Sequence, residues 1–271
     1  MSKKKHGPGR SSRTPFKHWV LDAHLGKVAG VLSTKNKSVP AVANPFLCVD
    51  LCAGDGTETD DHQSSPRIIA KHCNWMAQRG MNVRCVLIEK QAATFESLES
   101  SMAEVQMAFP CELRNADATE YRFVPSCEKQ AVFINCDPNS IADLPFSQGL
   151  ARSLTQTTTM TLTLGCNVGG LKRLRREQRE EWFQYISVMI DIMPAWHDAL
   201  LIALESDDAQ WAYFTRLPKV WTEQQVSAIG SKGQAMFPRG VRVESLHKNR
   251  RGFQDLVNRL FLTKAEMQNA G

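Results

Sequence analysis

The sequence predicts an α/β protein with a mostly parallel central sheet, helices on both faces and an antiparallel strand near the C-terminal half. Short apolar runs typical of buried strands alternate with longer segments in helical spacing, which is the pattern of a parallel sheet. Four of the predicted strands lead into an acidic residue, namely Asp50, Glu89, Asp117 and Asp137. Ligand sites in such sheets lie beyond the carboxyl ends of the strands, so these acids predict a functional edge.

The first part of the chain predicts a basic arm followed by alternating helix and strand. Residues 1–14 combine lysine and arginine with Gly, Pro and Ser, and predict a flexible arm. A helix is expected from about residue 15 to residue 32, and the run FLCVD predicts the first strand at residues 46–50. The tripeptide Ser-Ser-Pro, residues 64–66, predicts the start of the next helix, which Gly80 ends.

The remaining elements follow the same alternation until the C-terminal third. NVRCVLIEK predicts a second strand, and the helix after it is expected to continue to Pro110. CELRNADA, AVFINCDPN and TTTMTLTLGCN predict three more strands, and KRLRREQREEWFQYISVMIDIM predicts a basic helix. ALLIALES and QWAYFTRLP favour an antiparallel pair, VRVESL is a further strand candidate, and GFQDLVNRLFLTK fits strand or helix. Residues 15–271 are expected to form one domain, with an insertion near residues 57–66.

Composition excludes several classes of protein. At 271 residues the chain can bury a substantial core, and no apolar run approaches the roughly 20 residues that span a bilayer. The first residues lack the apolar segment of a secretory signal. The eight cysteines include no C-x-x-C pair, and the histidines show no metal-ligand spacing. We therefore predict a reduced, cytoplasmic protein with no membrane segment and no bound metal.

Positive charge is concentrated in the arm and in one predicted helix. Six lysine and arginine side chains precede the first acid, Asp22, whereas the whole chain carries a formal charge of +5. Lys172, Arg173, Arg175 and Arg176 form a second basic patch. Both features predict contacts with nucleic acid phosphates, with DNA as the preferred partner. The alternatives are a solubilising tail and a solvated helix face.

The segment after the first strand carries the clearest motif. Asp50 ends the strand, and the loop that follows contains Cys52, Ala53, Gly54, Asp55, Gly56 and Thr57. Glycine is needed where a Cβ would block positive φ angles or the close approach of a ligand. The plain alternatives are a tight strand-to-helix turn for the glycines and a helix cap for Asp50.

This order of motifs resembles the class I methyltransferases that use S-adenosylmethionine. The resemblance implies that the loop passes under the methionine part of this cofactor. It implies further that Glu89, beside Lys90, binds the ribose hydroxyls, and that Asp117, beside Ala118, binds the adenine amino group. A carboxylate can accept both ribose hydroxyls. A solvated strand end for Glu89 and an Asx-turn for Asp117 remain alternatives.

A nicotinamide-binding Rossmann domain fits less well. The fingerprint G-x-G-x-x-G is incomplete because Thr59 stands at its third glycine. The acid expected about 20 residues further on appears only at Glu89, nearly twice as far along the chain. A Rossmann-like enzyme using another nucleotide remains a weaker alternative.

The turn after the fourth strand decides the catalytic question. In the amino-methylating branch of the resembled superfamily, an acid and a proline carbonyl hold the target amine, and an aromatic residue stacks on a flipped base. Asp137, Pro138 and Asn139 stand at these positions here, and Ser140 replaces the aromatic residue. The turn is therefore either the methyl-acceptor site or a structural turn.

The N-terminal half also resembles the three-Cys-motif partner proteins, a methyltransferase-fold family of bacteria and mobile elements. Its matching segments are Lys17-His18 with Leu21, Ala53–Gly56, Ser65-Pro66 with Ala70, and Ile88–Lys90. A second hypothesis keeps the fold but drops catalysis, and the departure at Asn139 and Ser140 favours it. The chain is then a non-catalytic binding or regulatory protein of a mobile element, which acts on DNA or on a host protein.

Overall fold

The structure is a computed structural model, and it describes nine stretches of the chain. These are residues 13–35, 45–58, 63–122, 130–137, 159–167, 198–204, 209–217, 220–237 and 239–247. Most of the predicted arm, the basic helix and the C-terminal segment GFQDLVNRLFLTK lie outside the described residues. So do Pro138 and Asn139 of the predicted catalytic turn.

The described strands form one eight-stranded sheet in the order β3-β2-β1-β4-β5-β7-β6-β8. Their bounds are β1 Phe46–Asp50, β2 Val83–Glu89, β3 Cys111–Asn115, β4 Ala131–Cys136, β5 Thr159–Asn167, β6 Asp198–Leu204, β7 Ala209–Thr215 and β8 Val241–His247. Strands β1 to β5 are parallel, whereas β7 runs antiparallel to both of its neighbours and β8 antiparallel to β6. The predicted mostly parallel sheet and the antiparallel pair are confirmed.

Helices pack against this sheet. In the described part of the chain they are α1 Thr14–Lys35, α2 Ser65–Ala77, α3 Ala92–Ala103 and α4 Glu223–Met236, with a short 3₁₀ helix at Ala118–Glu120. The apolar face predicted for α2 is buried, since Ile68, Ile69, Cys73 and Met76 are each at most 2% exposed. None of these helices is both long enough and apolar enough to cross a bilayer.

The predicted end of α3 is wrong. The helix ends at Ala103, well before Pro110, because the chain turns and is held by the side chain of Asn74. The Asn74 amide donates to Gln106 O at 2.8 Å, and its oxygen accepts from Ala108 N at 2.7 Å.

Helix α4 was not predicted, although Thr222 and Gln225 form a full capping box at its start.

Helix α1 joins distant parts of the chain. Phe16 is fully buried and packs edge-on against Trp211 of β7 and against Phe237, just beyond α4. Further along the helix, His24 is also fully buried and stacks on Trp221 with ring centroids 4.6 Å apart. The helix before the first strand is therefore anchored to the antiparallel side of the sheet as well as to α2.

Candidate functional site

A cleft of about 310 Å³ opens beyond the carboxyl ends of β1, β2 and β4. This volume lies at the lower end of the range for small-molecule sites. Seven predicted site residues line it, namely Cys52, Ala53, Gly54, Asp55, Thr57, Glu89 and Asp137. Asp50, Gly56, Lys90, Asp117 and Ala118 are described but do not line it. The regular placement of acids at strand ends thus brings part of the predicted set into one cleft.

The glycine loop adopts a conformation that requires glycine at two positions. Gly54 and Gly56 have φ angles of 69° and 67°, in the left-handed region that side chains disfavour. A Cβ on Gly54 would meet no atom within 4 Å, so that position faces open space at the cleft. Asp55 stabilises the turn, because its Oδ1 accepts from the backbone N and the hydroxyl of Thr57 at 3.1 and 2.9 Å.

Helices α2 and α3 hold the glycine loop through hydrogen bonds to Gly56. Gly56 O accepts from Ser101 Oγ at 2.6 Å and from Arg67 Nε at 3.2 Å. Arg67 also donates to Ser101 O at 3.0 Å and to Glu104 at 2.8 Å. A Cβ on Gly56 would lie 2.9 Å from Leu98 Cδ1, which is closer than van der Waals contact allows. Gly56 is therefore a packing residue, and Gly54 faces the cleft.

Glu89 is held in place by two backbone amides. Gly54 N donates to its Oε2 at 3.0 Å, and Gln91 N donates to its Oε1 at 2.8 Å. Each carboxylate oxygen retains a further lone pair for a ligand in the cleft. The end of β2 and the glycine loop are thereby fixed to each other, and the carboxylate is preorganised to accept a pair of hydroxyl groups.

Asp50 lies beneath the loop and is fully buried. Its Oδ1 accepts from Asn135 Nδ2 at 3.0 Å and from Cys52 N at 3.3 Å, whereas Oδ2 has no partner atom in the described part of the chain. Burial raises its pKa to about 6, although the hydrogen bonds from Asn135 and from the Cys52 amide favour the charged form. In this position Asp50 organises the loop from below.

Asp117 and Lys90 form an ion pair beside the cleft. Lys90 Nζ lies 2.8 Å from Asp117 Oδ2, and this contact is the main reason why the pKa of Asp117 falls to about 2. Asp117 Oδ1 also accepts from Thr119 N at 2.9 Å, which caps the short 3₁₀ helix. The Asx-turn that the sequence allowed for Asp117 is present, and an adenine would have to share the carboxylate with Lys90.

Asp137 stands at the other end of the cleft, just after β4. Lys17 of α1 forms an ion pair with Asp137 Oδ2, and both side chains are 21% exposed. Behind Asp137, Thr163 of β5 donates to Asn135 Oδ1, and Asn135 donates to Asp50. A polar network therefore runs under the cleft from β5 through β4 to β1.

Three elements contribute lining residues that the predicted site set lacks. They are Thr14, Lys17 and His18 from α1, Ser64 and Ser65 at the start of α2, and Gln91, Ala93, Thr94 and Ser97 at the start of α3. Lys17 and His18 appeared in the resembled K-H-x-x-L pattern, which was the available signal for α1. Among the described residues, no three His, Cys, Asp or Glu side chains come together in a group that could hold a metal ion.

The strand order identifies the architecture. Strands β3-β2-β1-β4-β5-β7-β6 are parallel except for β7, and β8 is added at the edge, antiparallel to β6. The chain has a Rossmann-like α/β fold, the fold class predicted from its sequence. S-adenosylmethionine fits the residues present, because Glu89 offers a preorganised carboxylate for the ribose and Gly54 leaves space where a Cβ would project.

No family model and no curated protein matches the sequence. Among solved structures, the chain is similar to protein LPL1258 from Legionella pneumophila, with a TM-score of 0.57, 10% identity, and coverage of 89% of this chain and 98% of that one. It is also similar to the plantazolicin methyltransferase BpumL in complex with SAH, with a TM-score of 0.37, 9% identity, and coverage of 74% and 84%. A putative rRNA-methylase from Clostridium thermocellum has a TM-score of 0.39, 11% identity, and coverage of 68% and 94%.

Proposed function

We propose that this chain is an S-adenosylmethionine-dependent methyltransferase that acts on a nucleic acid, with DNA as the preferred substrate. The observation that carries the proposal is the geometry of Glu89. Its two oxygens are held by the amides of Gly54 and Gln91 at the mouth of the cleft. In a class I methyltransferase fold, this arrangement suits the two ribose hydroxyls of the cofactor.

Different residues of the cleft bind the cofactor and orient the methyl acceptor. When bound, S-adenosylmethionine supplies a methyl group on a positively charged sulfonium. The loop from Cys52 to Thr57 provides backbone surface for the methionine part, and Glu89 fixes the ribose. Asp137 lines the same cleft and offers a carboxylate that orients a polar acceptor, so its contribution is mainly positioning.

The choice of nucleic acid as the substrate depends on charge. The basic arm and the patch of Lys172, Arg173, Arg175 and Arg176 supply the cations that phosphates attract. A non-catalytic binding or regulatory role, on DNA or on a host protein, is the second candidate. It is favoured by Asn139 and Ser140, because neither residue can stack on a flipped base as an aromatic residue does.

Calorimetry tests the cofactor half of the proposal. We expect the wild type to bind S-adenosylmethionine and its demethylated product S-adenosylhomocysteine, and Glu89→Ala to lose at least about tenfold in affinity for both. Glu99→Ala is the matched control, since Glu99 is an exposed acid on α3 outside the cleft. The cofactor site would be refuted if the wild type and Glu89→Ala bound S-adenosylmethionine equally well, or if neither protein bound it.

A methyl-transfer assay tests the proposed activity and its substrate. The wild type, incubated with cofactor labelled in the methyl group, is offered DNA, RNA and protein separately. Label on DNA or RNA supports the proposed enzyme, and Asp137→Asn is expected to reduce it. Cofactor binding without label on any acceptor, together with DNA binding that weakens steeply with salt, would favour the regulatory role instead.

A further inference from the structure

The ion pair between Lys17 and Asp137 joins elements that are 120 residues apart in sequence. Lys17 lies in the first turn of α1, and Asp137 follows the last residue of β4. Both side chains line the cleft, and both also line a small second cavity together with Gly165, Trp211 and Tyr213. Lys17 therefore reaches across the acceptor end of the site from an element outside the cofactor loop.

Gly165 of β5 fixes where the Asp137 carboxylate can lie. A Cβ on Gly165 would overlap Asp137 Oδ1 and would come within 3.1 Å of Asp137 Cγ. The carboxylate thus occupies the space that any other residue at position 165 would fill. One oxygen rests against the glycine of β5, and the other meets the ammonium group of α1.

The charges around the cleft give this pair a specific consequence. Among the described residues that line it, the carboxylates are Asp55, Glu89 and Asp137, and Lys17 is the only lysine or arginine. Asp55 and Glu89 accept hydrogen bonds from backbone amides, whereas Asp137 has a full positive charge as its partner. Lys17 is therefore the residue that neutralises the acid at the acceptor end.

We propose that Lys17 is a positioning residue that holds the Asp137 carboxylate against Gly165 and cancels its charge at the acceptor end of the cleft. The proposal rests on the proposed function, because it concerns the same site. A neutralised carboxylate attracts a cation less strongly than a free one. Lys17 thus lowers the preference of the empty acceptor end for the cationic S-adenosylmethionine over the neutral product S-adenosylhomocysteine.

The decisive measurement is the ratio of the affinities for S-adenosylmethionine and S-adenosylhomocysteine. We expect Lys17→Met to favour S-adenosylmethionine over S-adenosylhomocysteine by about three- to tenfold more than the wild type, because the charge of Asp137 is then unopposed. Lys17→Arg keeps the positive charge and is expected to restore the wild-type ratio. Lys17→Met in an Asp137→Asn background is expected to leave the ratio unchanged. Lys27→Met, which removes an exposed lysine from the same helix, controls for net charge.

A second measurement needs no cofactor. Thermal unfolding of the wild type, Lys17→Met, Asp137→Asn and the double variant forms a double-mutant cycle. Coupled losses, in which the double variant melts no lower than the worse single variant, support the pair. Additive losses, an unchanged affinity ratio in Lys17→Met, or failure of Lys17→Arg to restore it would overturn the proposal. If the wild type binds neither compound, the proposed function fails, while the cycle still reports on the ion pair.

Discussion

His24 makes the stability of this protein depend on pH in a way that a single substitution can isolate. The side chain is fully buried between Phe133, Tyr213 and Trp221, and neither ring nitrogen has a partner in the described part of the chain. Burial lowers its pKa to about 3, from an ordinary value of 6.5. The folded protein keeps this imidazole neutral, whereas the unfolded chain binds a proton below pH 6.5. Stability is therefore present above that pH and lost as the pH falls, by about 2 kcal/mol at pH 5.

Asp50 opposes this loss. Its pKa is raised from 3.8 to about 6 by burial, so the folded protein holds a proton that the unfolded chain has already released. Its contribution is therefore complete below pH 3.8 and is lost as the pH rises through 6. Lowering the pH from 8 to 5 recovers about 1.4 kcal/mol. The two groups together leave a net loss of less than about 1 kcal/mol over this range.

Two variants separate these opposing contributions. Urea unfolding at pH 8 and pH 5 is expected to show that Asp50→Asn loses about 2 kcal/mol on acidification, relative to the pH response of the other ionisable groups, because His24 is then unopposed. His24→Leu is expected to gain about 1.4 kcal/mol relative to the pH response of the other ionisable groups. Constant packing costs cancel, because each variant is compared with itself. If His24→Leu loses stability in parallel with the wild type, the histidine is not buried in its neutral form and the reasoning fails.

Three further experiments, two of them with a comparison variant, test the geometry of the site. Gly56→Ala is expected to cost about 2 kcal/mol or more in urea unfolding, whereas Gly54→Ala, with a similar φ but open space, should cost about 1. Arg67→Met removes donors to the glycine loop and should destabilise the fold by about 1–3 kcal/mol and weaken S-adenosylhomocysteine binding in calorimetry. The control Arg84→Met, which removes an exposed arginine of β2, should do neither. Gly165→Ala should displace the carboxylate at the end of β4, so that the salt bridge from α1 no longer contributes in a double-mutant cycle.

Much of the fold could be predicted because its strands are short apolar runs with clear ends. β1, for example, is buried along its whole length and is followed at once by the glycine turn. The position of Glu89 at the end of β2 followed from the same pattern. The end of α3 could not be predicted, because it depends on Asn74 of another helix rather than on Pro110. Local sequence gives helix starts and strand ends, but it does not show which distant side chain closes a turn.

The candidate site likewise combines residues whose position the sequence predicts with residues that only long-range packing places. The proposed cofactor side is built from residues next to strand ends, so position in the sequence predicts position in space. Asp50 shows the limit of this inference. A strand-end acid can turn inward and support the loop, and only packing decides between the two directions. The full burial of Asp50 shows that inward position, and the resulting desolvation raises its pKa to about 6.

The proposed acceptor side depends on long-range packing. Lys17 reaches Asp137 because Phe16, its neighbour in α1, is packed against Trp211 of β7 and against Phe237. No local pattern places the first helix of the chain against the antiparallel strands. A substitution in that aromatic cluster would therefore act on the acceptor end without touching the cleft. The cofactor side, which is held by Arg67 and Ser101, would keep its geometry.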